Sequence, residues 1–183
     1  YRYPFGFAEL EGVHARGNYD LSQHSKYSGR DLEYRASNGE TFIPHVIESS
    51  VGVGRTMLAL LTDGLSREIS NEGKERVVLK IKPSLAPIKL AIFPLIKNNP
   101  EIYKAAVEIY KQLSTEFATD WDDNGNIGKR YRRQDEIGTP CCVTVDYQTL
   151  EDATFTVRDR DTMEQKRMGV ETLKQTMHDL LRN

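Results

Sequence analysis

Glu48, Ser50, Gly52, Gly54 and Arg55 fall close together in the run HVIESSVGVGRTMLALL, residues 45–61. Glu48 closes an apolar stretch, where burying a carboxylate costs free energy unless something positive meets it. No Lys or Arg closely precedes it, so the cationic end of a ligand is a candidate partner. Gly52 and Gly54 would let the backbone turn sharply and approach a bound group without a Cβ in the way. They place Arg55 at the start of the helix that follows, and a guanidinium there suits a nucleotide, stacking on a base plane and pairing with phosphate oxygens. A Walker-type phosphate loop is excluded, because it needs Lys then Ser or Thr after its last glycine and GVGRT has Arg in that place. Gly-x-Gly before a helix is common and an arginine at a helix start is often merely solvated, so spacing alone leaves both readings open.

A second cationic group lies further on. Lys129, Arg130, Arg132 and Arg133 surround Tyr131, a pairing that suits single-stranded RNA through phosphate contact and base stacking. Gln134, Asp135 and Glu136 follow and could read base edges, and Trp121 could stack on RNA or sit in a core. The competing reading is a solvated charged helix face. RDRD at 158–161 resembles a phosphate or metal site, although alternating charges at a strand end more often pair with one another. His14, His24, His45 and His178 have no metal-ligand spacing. Adjacent Cys141 and Cys142, the only cysteines, exclude a disulfide framework and read as reduced core residues.

The elements that must position these groups follow from periodicity. FGFAELEGV reads as a strand, putting Glu9 and Glu11 on one face because strand side chains repeat every second residue. A polar, turn-rich segment follows and closes a hairpin at Ser37-Asn38-Gly39. TFIPHVIESS is predicted as a second strand, and RTMLALLTDGLSREI as a largely buried helix. Composition shifts toward Lys, Glu, Gly, Ser and Pro between Ser70 and Pro87, which sets a domain boundary at 82/83 and divides the chain into residues 1–82 and 83–183. Val77, Val78, Leu79 and Ile81 could still add a strand to the first domain. In the second, IKLAIFPL, ATDWDD, TPCCVTVDY and ATFTVRDRD are strands. NPEIYKAAVEIYKQLSTEF is a helix with Ile102, Ala106, Ile109, Leu113 and Phe117 on one face, and IGKRYRRQDEIG is a charged helix. DTMEQKRMGVETLKQTMHDLLR is a final helix, with Asp161 and Thr162 as cap candidates and Val170, Leu173, Met177 and Leu180 inside. Alternating strands and helices make an α/β (α+β) fold with a mixed sheet.

The chain has 183 residues, 38% hydrophobic and 28% charged, with a formal net charge of −2. It folds, and gives no global pull toward nucleic acid or anionic lipid. Neither a membrane span nor a signal-peptide pattern is present, so a cytoplasmic protein without membrane or DNA partners is expected. Tyr1 in place of Met suggests the back part of a longer protein.

IPHVIESSVGVGR resembles motif 3 of the class II aminoacyl-tRNA synthetases, in the form of the dimeric glycyl-tRNA synthetase family. YPFGFAELEGVHARGNYDLSQHS resembles the strand and loop preceding that motif. IGKRYRRQDEIGTPCCVTVDY and FTVRDRDTMEQKR resemble the family's C-terminal anticodon-binding domain. The resemblance implies part of an antiparallel class II catalytic sheet followed by an anticodon-binding domain with a mixed sheet. It implies ATP-dependent activation of glycine to glycyl-adenylate and transfer to tRNA(Gly), by a homodimer.

The resemblance also implies residue roles. Glu48, Ser50 and Gly52 would hold glycine, and Glu9, Leu10, Gly52, Val53, Gly54 and Arg55 would contact ATP. Arg55 would pack on ATP and meet its γ-phosphate, while Glu9 reaches it through Mg²⁺ and Glu11 is a weaker candidate. Lys129, Arg130, Arg132 and Arg133 would contact tRNA. Ser49 stands where the family often has Pro. Motifs 1 and 2 are not found in these residues, so this chain alone is not expected to form the adenylate. A non-catalytic synthetase-like protein, such as a polymerase accessory subunit or RNA-binding module, is the rival reading.

Overall fold

The computed structural model describes residues 1–69, 73 and 75–182. Two compact units form, Tyr1–Thr62 and the chain from Asp63 onward. The division lies at 62/63 and not at the expected 82/83.

In the first unit, β1 (Arg2–Tyr3) and β2 (Gly6–Phe7) make a tight antiparallel hairpin. β3 (Glu11–Gly17) follows, then α1 (Tyr19–Ser28), a small hairpin of β4 (Tyr34–Arg35) and β5 (Thr41–Phe42), β6 (Val46–Val51) and α2 (Val53–Gly64). β3 pairs antiparallel with β6, with His14 opposite Glu48 and Gly12 opposite Ser50.

Four expectations change here. FGFAELEGV is not one strand. Stacking of Tyr3 on Phe5 and the Arg2–Phe7 pairing commit the first residues to the hairpin, and the chain leaves through Ala8–Leu10 before pairing begins at Glu11. TFIPHVIESS is split around Pro44, which has no N–H to give a ladder. The helix expected through Ile69 ends at Gly64, and LSREI continues as β7 (Leu65–Ile69). Nor is α2 largely buried: Val53 is 84% and Met57 61% exposed, while Ala59 is covered at 7%.

The second unit is built on a five-stranded sheet. β7 and β8 (Glu75–Leu79) form an antiparallel hairpin. Then come β9 (Leu90–Pro94), α3 (Pro100–Ser114), β10 (Thr119–Trp121), α4 (Ile127–Ile137), β11 (Cys141–Val145), α5 (Tyr147–Asp152), β12 (Phe155–Asp159), β13 (Gln165–Met168) and α6 (Val170–Arg182). The sheet order is β10-β9-β11-β12-β13, parallel across the first three and antiparallel across the rest. This is the mixed sheet the sequence implies.

Central β9 and β11 are buried on both faces, and alternate residues serve two cores. Leu90, Ile92, Cys141 and Val143 pack with Ile102, Ala106, Ile109 and Leu113 of α3 and Leu173 and Met177 of α6. Ala91, Phe93 and Cys142 face the other way, against Ile127 and Tyr131 of α4. The apolar stripe predicted for α3 is the buried one. Its N-terminus is fixed by Asn99, whose side chain accepts from the amides of Glu101 and Ile102, with Pro100 in the first turn.

The final helix begins at Val170, not near Asp161. Asp159 Oδ1 accepts from the amides of Asp161 and Thr162, folding those residues into a turn, and Gln165–Met168 pair with β12. α5 was not anticipated; its short turn is capped by Asp146 and Thr149 reciprocally.

The β7–β8 hairpin belongs with this unit because β8 packs on α4 through ion pairs. Arg76 Nε donates to Asp135 Oδ2 at 2.9 Å, and a second guanidinium, Arg158, meets both oxygens of the same carboxylate at 3.0 and 3.2 Å. Val77–Ile81 therefore do not belong to the first unit. Gly138 ends α4 at φ +84°, and a Cβ there would lie 3.0 Å from the Leu79 carbonyl oxygen. Only glycine lets the two backbones come so near.

Candidate functional site

The β3–β6 ladder sorts the first unit's candidates by face. Glu48 and Ser50 share one face, opposite His14 and Gly12, and Ser49 and Glu11 occupy the other. Ser49 Oγ donates to Glu11 Oε1 at 2.5 Å, so Glu11 is tied to the sheet and is not grouped with Glu9. Two expectations about Glu48 are not met. Its side chain is 42% exposed, and Arg16 Nη1 stands 3.7 Å from its Oε2. Arg16 is held mainly by Asp20, at 2.8 and 3.0 Å, and that bond raises the arginine pKa and lowers that of Asp20. Arg16 escaped the sequence reading because it neighbours Glu48 only across the ladder.

Arg55 and Glu9 do meet. Arg55 is the third residue of α2, and its Nη1 donates to the Glu9 carbonyl oxygen at 2.5 Å. The Tyr3 hydroxyl donates to the Arg55 carbonyl at 3.4 Å, tying the β1–β2 hairpin to the same turn. The Glu9 side chain is left exposed, and Leu10 beside it is partly covered. Gly52 and Gly54 do not adopt the left-handed conformation. A Cβ on Gly52 would sit in ordinary contact with Arg55, and one on Gly54 would meet nothing within 4 Å, so the turn itself does not demand glycine.

In the second unit, β9 and β10 are parallel neighbours whose following helices lie on opposite faces. The crevice beyond their carboxyl ends is the place where open α/β sheets hold ligands. On the α4 side a cleft of about 470 Å³ is lined by Asp120, Trp121, Asp122, Arg133, Glu136 and Ile137, among others. Arg133 Nε and Nη2 donate to Asp122 Oδ2 at 2.8 and 2.5 Å, and Nη2 also to the Asn124 carbonyl at 2.7 Å. Among the described residues nothing accepts from its Nη1, so the guanidinium is fixed with one edge open.

The other members of the cationic helix divide. Lys129 and Arg132 are exposed. Arg130 is only 3% exposed: its Nη1 donates to the Pro94 carbonyl at 2.6 Å, and Nη2 to Asp123 and Gly125 carbonyls at 3.2 and 2.8 Å. It braces loops and does not belong to the cationic surface. Gln134 and Asp135 are also buried, Gln134 between Asp120 and Thr139 and Asp135 between Arg76 and Arg158, so neither reads a base edge. RDRD is an ion-pair cluster as expected, though Arg158 pairs across to α4 while Arg160 takes Asp161.

The family profile described as "Anticodon binding domain" matches residues 89–180, half of the chain. The chain belongs to that family. The anticodon-binding family span covers the five-stranded sheet and the cleft beside α4, and leaves out the β7–β8 hairpin that packs on it. Curated relatives extend the likeness upstream. "Glycine–tRNA ligase" of Borreliella afzelii (strain PKo) is 52% identical over 176 residues, covering 94% of this chain and 39% of the relative. The protein of the same name from Chlorobaculum tepidum is 48% identical over 171 residues, 93% of this chain and 36% of the relative. That from Clostridium acetobutylicum is 45% identical over 183 residues, 100% of this chain and 39% of the relative. This chain thus spans less than two-fifths of the length of these relatives.

Within the anticodon-binding unit both thiols are buried. Burial pushes Cys141 up to about 12 and Cys142 well above the ordinary thiol range, which removes the thiolate that redox chemistry needs. Among the described residues no group of three or more His, Cys, Asp or Glu could hold a metal ion, and no helix is long and apolar enough to cross a membrane.

Proposed function

We propose that this chain is the C-terminal part of a glycine–tRNA ligase, carrying one wall of the adenylate site in its first unit and a tRNA-binding surface in its second. The observation that carries this is the likeness to proteins of that name across both units in one continuous match, 94% of the chain at 52% identity. The burial of Glu48 does not carry it, since that side chain is half open.

In this reading glycine's carboxylate attacks the α-phosphorus of ATP and pyrophosphate leaves. A ribose hydroxyl of the terminal tRNA adenosine then takes the acyl group and AMP leaves. No side-chain nucleophile is required, and rate comes from alignment and fixed charge. Glu48 and Ser50, on one face of β6, hold the glycine ammonium beside Gly52. Arg55 lies on ATP, its guanidinium steadied by the Glu9 carbonyl, with Leu10, Val53 and Gly54 around it. The exposed Glu9 carboxylate has no protein partner among the described residues, and one such oxygen donor suits Mg²⁺ held chiefly by phosphates. When bound, Mg²⁺ neutralises phosphate charge.

On the second unit, Lys129, Arg132 and the anchored Arg133 meet tRNA(Gly), with Trp121 and Glu136 in the adjoining cleft. Arg130 acts only by bracing that surface. The same reading carries a cytoplasmic homodimer.

Glycine-dependent ATP–pyrophosphate exchange tests the proposal. The full-length gene product should show it, and Arg55→Ala should lower kcat by about a hundredfold or more, the order lost when one fixed charge-stabilising group is removed. The 183-residue chain alone should show none. A full-length product that binds tRNA without exchange would make this a non-catalytic relative.

A further inference from the structure

Edge strand β10 has an open cleft on each side, and the cleft on the α3 side has no role so far. It measures about 720 Å³ and is lined by Lys97, Tyr103, Lys104, Val107, Lys111 and Asp123, among others. One aromatic contact joins the two: Trp121 lines the α4 cleft and Tyr103 the α3 cleft, ring centroids 5.4 Å apart and edge to face. Adjacent aspartates join them as well. Asp122 holds Arg133 in the first, and Asp123 holds Lys97 in the second at 3.0 Å.

We propose that the outer face of α3 is a track for the sugar–phosphate backbone of RNA, continuing past β10 from a base seated in the α4 cleft; it rests on the tRNA reading above. Lys104 and Lys111 are seven residues apart, two turns or about 10.5 Å along one helix face. Among the described residues neither has an ion-pair partner, and both are exposed. Asp123 neutralises Lys97, and Glu108 also borders the cleft, so those two lysines carry the attraction. The cleft is open and presents lysine tips with no buried polar donor, so it does not enclose a small anion. Two point charges spaced along a ridge suit a chain of phosphates, and Tyr103, next to Lys104 at the β10 end of the cleft, offers a ring for stacking.

The test is equilibrium binding of a fluorescent tRNA(Gly) transcript to the 183-residue chain between 50 and 200 mM KCl. Lys104→Gln with Lys111→Gln should weaken binding about tenfold near 100 mM salt and reduce the slope of log K against log salt by about 1.4–1.8, the loss of two phosphate contacts. The loss should be equal for a transcript with altered anticodon bases, and Lys104→Arg with Lys111→Arg should restore both affinity and slope. An unchanged slope in the glutamine variant, with Arg133→Ala still weakening binding, overturns the α3 track and leaves the α4 cleft standing. Absence of binding by the unsubstituted chain overturns both.

Discussion

Arg76 of β8 reaches Asp135 of α4 at 2.9 Å, at a point where the carboxylate is 2% exposed and already holds Arg158. A strand outside the matched family span thus shares its buried charge with the helix that bears the cationic surface. Removing one partner of such a pair leaves an uncompensated charge and costs about 3–5 kcal/mol. Asp135→Asn, which strands two guanidiniums, is expected to lower unfolding free energy by about that much in urea titration. Arg76→Gln should cost less, since Arg158 still faces Asp135. Equal stability of Asp135→Asn and the unsubstituted chain would show the network to be idle.

Arg130 and Arg132 are two residues apart and should behave oppositely. Arg130→Ala removes donors from three carbonyls and is expected to destabilise the fold by about 2 kcal/mol or more, since each orphaned buried acceptor costs about 1–3 kcal/mol. Arg132→Ala should leave the melting temperature unchanged and weaken tRNA binding. Thermal melts and binding titrations on the same two variants read the contrast directly.

Gly138 tests how close β8 and α4 are. Gly138→Ala forces a side chain into the left-handed region and against the Leu79 carbonyl, so a loss of about 1–2 kcal/mol from the backbone conformation alone is expected. Denaturant titration measures it, and a neutral substitution would mean the hairpin packs more loosely.

Asp152 sets an acid limit. The Thr154 hydroxyl and amide and the Gln148 amide hold its carboxyl down, from 3.8 to about 2. A group whose folded pKa is depressed contributes stability above its unfolded pKa and loses it as pH falls through the folded one. Stability should therefore decline between about pH 4 and pH 2. Asp152→Asn should flatten that part of the profile while lowering stability at pH 7, and a profile identical to the parent would refute the assignment.

The α3 stripe, the strands of the mixed sheet and the charged α4 were legible because each buries a periodic face. What escaped has physical causes. Arg130 and Arg133 look alike in sequence, yet the carbonyls of the β9 and β10 loops decide which one is buried. Asp135 looked like a base reader because its two arginines come from distant strands. LSREI carried enough apolar residues to extend a helix, and only β8 alongside makes it a strand. At the first site, Arg55 reaches the Glu9 backbone carbonyl and Glu48 lies beside Arg16, contacts between distant positions that no spacing rule supplies.

Adjacent Cys141 and Cys142 lie in opposite cores, one beneath α3 and α6 and the other beneath α4. A thiol reagent therefore samples two different openings from neighbouring positions of one strand. Single Cys→Ala variants turn the chain into its own stopwatch: the labelling rate of Cys142 times the lifting of α4 from the sheet, and that of Cys141 times the release of the opposite helical layer.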